Sequence, residues 1–208
     1  MKCLYRLLLL GVLGVCMLGM PREAAAKSRI ELWYPLDVGV GVEGMFFDSP
    51  SYEFSHVGLN TSISAGVQWY LFLLMVNQEL GYIHVRPLGG EGERLFKGAT
   101  IVDARFFYPF LALEDHLIWG PVIKLGLGAE YMNKPDGVID DRGMQSWFAM
   151  RIGTGIEFYF SKSIKLQAIV DYTLGVSDPN CFDGKKTTNF LGGKIVLGYV
   201  FGDKGFVL

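Results

Sequence analysis

Eleven charged side chains recur at alternate positions of glycine-rich stretches along the chain. The anions are Asp37, Glu43, Asp103, Glu130, Glu157 and Asp171, and the cations are Arg105, Lys124, Arg151, Lys165 and Lys194. Six carboxylates against five cations nearly balance. If these groups share one narrow interior they must pair, because an isolated buried charge is very costly. A plugged interior is therefore the expectation, and a narrow path for ions is the alternative.

Other residues have chemistry-bearing types but lack the spacing. Gly39-Val40-Gly41-Val42-Glu43-Gly44 matches the dinucleotide fingerprint letter for letter. That motif acts only at a strand-to-helix turn, where a helix N-terminus holds pyrophosphate, and no helical period follows it here. Close packing in a narrow interior explains these glycines better. His56 follows Ser55 and shares a polar stretch with Asp48-Ser49, whereas His84 and His116 lie far away. A Ser, a His and an acid converging at one rim would suit a lipid-modifying enzyme. Asp136, Asp140 and Asp141 lack the ligand order of a calcium loop and read as a solvated loop. Cys181 has no histidine beside it to activate the thiol. No catalytic, cofactor-binding or metal-ligating residue is assigned, and neither enzyme activity nor a cofactor is expected.

The 208 residues are 50% hydrophobic, 14% aromatic and 19% charged, with 27 glycines and a formal charge of −2. That composition excludes a disordered chain and gives no basic stripe for nucleic acid. Lys2 and Arg6, the apolar run Leu7 to Met20 and the Ala24-Ala25-Ala26 site read as a cleaved export signal over 1–26. Beyond it no apolar run approaches the roughly 20 residues of a spanning helix. The domain expected over 27–208 keeps 16 basic and 20 acidic residues, and Cys181 is its lone cysteine.

Period-two alternation dominates this domain. Over 30–46 the even positions run Ile30, Leu32, Tyr34, Leu36, Val38, Val40, Val42, Gly44 and Phe46, opposite Glu31, Asp37, Gly39, Gly41 and Glu43. The pattern returns over 57–71, 99–110, 117–131, 147–160, 164–176 and 189–201. In none of these seven does the apolar track contain Asp, Glu, Lys or Arg. A lipid-facing track must exclude them, since Arg or Lys at the bilayer midplane costs about 2–4 kcal/mol. A secreted sandwich is the alternative. Residues 73–86 form an eighth, weaker strand: Gln78 interrupts the apolar track, and Ile83 and Val85 fall on the wrong face unless a bulge switches it.

Eight strands alternate between long polar connections at 48–56, 87–98, 132–146 and 177–188 and tight turns near 72, 111–116 and 161–163. Aromatic residues gather at strand ends, including Trp33, Trp69, Trp119, Tyr159 and Phe201 on one rim and Phe46, Tyr131, Trp147 and Phe148 on the other. This predicts an all-β, eight-stranded antiparallel up-and-down transmembrane barrel over about 30–201, with a short tail at 202–208. The chain resembles the small outer-membrane barrels of the OmpA/OmpX type, in strand pattern, topology and the closing stretch Gly192 to Phe201. It departs from them in the residues that follow Phe201. The resemblance implies a place in the bacterial outer membrane, lipid and the assembly machinery as partners, and no nucleic acid.

The expected function is a structural or surface-interaction component of a Gram-negative envelope, whose four outer connections meet ligands or envelope partners. A narrow pore and a lipid-modifying enzyme are the alternatives. Lys194 and Asp37 are expected at similar depth on the last and first strands, closing the seam as a pair. Leu127→Arg is expected to impair assembly far more than Gly128→Ala.

Overall fold

The computed structural model describes residues 32–46, 56–86, 92–109, 111–113, 117–133, 144–161, 163–176 and 187–201. The expected export signal, the C-terminal tail, the Asp136–Asp141 stretch, Ser55, His116 and Cys181 lie outside them, as does the side chain of His56. The strands are β1 (Tyr34–Phe46), β2 (His56–Trp69), β3 (Phe72–Val85), β4 (Glu93–Phe107), β5 (Leu111–Leu113), β6 (Leu117–Asn133), β7 (Met144–Tyr159), β8 (Ile164–Val176) and β9 (Thr187–Phe201). All pairings are antiparallel. β4 pairs with β6 and β9 with β1, so every strand except β5 joins one closed ring of eight.

Alternation fixes the two faces of the wall. Val38, Val40 and Val42 point out while Asp37, Gly39 and Glu43 point in. The outward row is open along each of the eight strands of the ring, reaching 72% exposure at Leu59. So much contiguous apolar surface suits hydrocarbon rather than water. The β-branched and aromatic residues on it also favour the extended backbone.

Register sets the barrel's dimensions. Interior partners lead from Trp33 through Gln68, Leu73, Arg105, Lys124, Gly153, Asp171 and Gly192 back to Glu43. The path returns ten residues further along β1, a shear of ten on eight strands. With a rise of roughly 3.3 Å and strands about 4.8 Å apart, the strands tilt by about 40°. An eight-stranded ring is just wide enough for its own side chains to fill.

Several expected boundaries move. β8 matches its expected range, but β4 starts six residues before 99, at Glu93, so 93–98 belong to the wall rather than to a connection. Residues 132–133, 144–146 and 187–188 are also strand. Three residues of the expected turn at 111–116 form β5, which pairs with β6. The bulge expected in β3 does not occur. Its register runs without interruption against both β2 and β4, and Ile83 stays on the interior face.

The interior is layered. At the end bearing the tight turns, Trp33, Leu73, Met75, Phe107, Tyr159 and Val200 pack together. At the end bearing the long connections, Met45, Ile83, Leu95, Met132, Trp147 and Phe190 do the same. Trp147 and Tyr159, expected in the aromatic girdles, join Trp33 in capping the interior, because each falls on the inward phase of its strand. The β2–β3 turn needs only Tyr70 and Leu71. Tyr70 takes a left-handed φ of 48°, unusual for a bulky residue, and Gln68 Nε2 donates to its carbonyl at 3.1 Å.

Candidate functional site

Between the two apolar caps lies a charged layer. All eleven residues read from the sequence point inward, and none is more than 6% exposed. Two further charges join them, Glu79 from β3 and Lys97 from β4. The thirteen side chains form two sets.

The larger set is a chain of ten that alternates in sign throughout. Arg151 meets Glu79, which also meets Lys194. Lys194 lies 3.3 Å from Asp171, and Asp171 lies 2.8 Å from Lys124. Lys124 continues to Asp103 at 3.9 Å and Asp103 to Arg105 at 3.7 Å. Arg105 bonds Asp37 at 2.9 Å, Asp37 lies 3.3 Å from Lys165, and Lys165 lies 3.8 Å from Glu157. Five anions face five cations, so this chain is neutral. Neutral side chains hold it in place. Arg151 Nε donates to Thr173 at 3.0 Å, Asn77 Nδ2 donates to Glu79 at 2.7 Å, and Gln167 donates to Glu157.

The smaller set is a triad nearer the long connections. Lys97 Nζ lies 2.5 Å from Glu43 and 3.0 Å from Glu130, and 3.5 Å from the centre of the Phe190 ring. Trp147 Nε1 donates to Glu130 at 2.9 Å. Two carboxylates share one ammonium here, so the triad carries the excess negative charge of these thirteen side chains. Buried groups of this kind persist only when paired and hydrogen-bonded, as these are.

The expected Lys194–Asp37 seam pair does not form. A shear of ten places Lys194 opposite Gly41 and Asp37 opposite Gly198. Asp37 instead reaches across β9 to Lys165 on β8. Gly198 makes that possible, since a Cβ there would run into Asp37 Oδ1 and the Lys165 stem. Gly153 on β7 does the same between Lys124 on β6 and Asp171 on β8. Ion partners two strands apart meet over an intervening glycine, which is the close approach that a glycine inside a strand permits.

The Gly39–Gly44 motif lies wholly within β1, and the next described element is strand β2. Gln78, the break in the apolar track, does face outward. Thr100 Oγ1 donates to its Oε1 at 2.6 Å, and its Nε2 donates to the hydroxyl of Tyr131. The amide is satisfied within the wall.

No protein-family model matches the chain, and no curated protein does. Solved structures match in fold. Neisserial surface protein A is 14% identical with a TM-score of 0.51, covering 82% of this chain and 96% of that one. OprG from Pseudomonas aeruginosa is 11% identical with a TM-score of 0.47, covering 84% and 97%. Ail, the attachment invasion locus protein of Yersinia pestis, is 11% identical with a TM-score of 0.45, covering 82% and 99%. The closed ring of eight strands, the apolar exterior and the charged interior give the chain the fold of the small eight-stranded bacterial outer-membrane barrels.

Proposed function

We propose that this barrel is a sealed, non-catalytic anchor that displays its four long connections, around 47–55, 87–91, 134–143 and 177–186, at the cell surface. The observation that carries this reading is the neutral chain of ten interior charges held between two apolar caps. Each of its acids and bases lies within 4 Å of an opposite charge, an arrangement that opposes the passage of ions. A cavity of about 10 Å³ beside Glu43, Asn60, Glu79 and Lys97 has room for about one water molecule. Barrels of this type turn short connections to the periplasm and long ones outward. The connection at 70–71 is short, and those reaching the Met45–Phe190 cap are long.

The test combines display and sealing. A peptide tag inserted within 134–143 should be removed by protease from intact cells while the barrel survives. Vesicles holding the same protein should not swell in small sugars. A protected tag argues against display, and rapid swelling favours the pore reading.

A further inference from the structure

The exterior of the described strands carries only two side chains among Asp, Glu, Lys, Arg and His, and they stand together. His84 on β3 and Arg94 on β4 are register partners, both exposed, at the end of the wall that bears the long connections. One step toward the membrane centre, Tyr82 and Phe96 are also partners, with ring centroids 5.7 Å apart in a T-shaped contact. One step beyond is Arg86, also exposed. The described ends of the other strands on this rim present neutral outward residues, such as Val57, Asn133, Ser146, Val176 and Thr187.

This placement assigns a depth. Aromatic side chains on a barrel exterior mark the boundary between hydrocarbon and headgroups. The step beyond Tyr82 and Phe96 is therefore headgroup level, and both His84 and Arg94 are exposed there. Asn133 on β6 accepts the Phe96 N–H at 2.5 Å, so the start of β4 is held on both flanks. Guanidinium groups bind phosphate through paired, charge-assisted hydrogen bonds, and a nearby imidazole adds a donor.

We propose that Arg94 and His84, with Arg86 beside them, form a seat for the phosphate of a phosphorylated lipid in the outer leaflet. The ligand is a lipid rather than a free anion because the residues are exposed beside an aromatic pair, where acyl chains and headgroups meet. The site rests on the barrel's orientation and not on whether its interior conducts.

The experiment uses the refolded barrel in detergent micelles and native mass spectrometry. The probes are bisphosphorylated lipid A, the same lipid after enzymatic removal of its phosphates, and inorganic phosphate as competitor. Wild type should retain the phosphorylated lipid about tenfold better than the dephosphorylated one, the scale of one charge-assisted hydrogen bond. The double variant His84→Gln, Arg94→Gln should lose that preference while its unboiled gel mobility still reports a folded barrel. Arg94→Lys, which keeps the charge but not the paired donors, should keep only part of it, and full retention would contradict bidentate recognition. Equal retention of the two lipids by wild type overturns the proposal without recourse to any variant. Displacement of the lipid by millimolar inorganic phosphate overturns the lipid assignment, and an unchanged preference in the double variant places the seat elsewhere.

Discussion

At the scale of single residues, pairing rather than charge decides what each interior group contributes. In the triad, Glu43→Gln leaves Lys97 and Glu130 as a balanced pair, whereas Lys97→Met leaves two carboxylates face to face. The lysine variant should therefore lose about 3–5 kcal/mol of stability and the glutamine variant about 1 kcal/mol. Urea unfolding in vesicles, followed by unboiled gel mobility, measures both, and equal losses would contradict the triad. Glycines sort in the same way. Gly193 faces outward and a methyl group there would meet nothing within 4 Å, so Gly193→Ala should be neutral. Gly128→Ala is not the mild control the sequence suggested, because its methyl would meet the backbone of Thr100 and Ile101. Eleven interior charges were legible because period two alone sets their phase. Glu79 is hard to read because Gln78 beside it makes its strand look irregular, and Lys97 because Gly89-Gly90 upstream signals a loop. Extending the alternation back from Ile101 through Ala99, Lys97 and Leu95 finds the lysine.

At the scale of the strand, the exterior rule tolerates a polar group that is satisfied and excludes a charge that is not. Gln78→Leu replaces an amide whose partners are Thr100 on β4 and Tyr131 on β6, so it should change folding by less than about 1 kcal/mol. Leu127→Arg places a cation on an apolar row and should cost about 2–4 kcal/mol if it lies near the midplane. Refolding yield into vesicles separates the two variants. If the arginine variant refolded as well as wild type, the face assignment would be wrong. β8 was legible end to end because charge, glycine and aliphatic residues alternate without a break from Ile164 to Val176. A bulge in β3 follows from the sequence only if Ile83 must face lipid. It needs only an apolar neighbour, and the cap formed with Met45, Leu95 and Phe190 supplies one.

At the scale of the whole molecule, shear decides which residues of which strands face each other across the interior. Strand number was readable from pattern, but shear depends on which residues face each other across β9 and β1, and no local signal encodes that. Hence the fold was legible while the Lys194–Asp37 seam pair was wrong. The observed register lets Asp37 meet Lys165 over Gly198 and Lys124 meet Asp171 over Gly153, and so links the interior charges around the ring. If that chain seals the barrel, the decisive observation is single-channel current from the wild-type protein in planar bilayers. The account predicts a silent membrane apart from brief, small events, and Glu79→Ala, which strips Arg151 and Lys194 of a shared partner, should raise their frequency. A steady, large conductance from the wild type would contradict the seal.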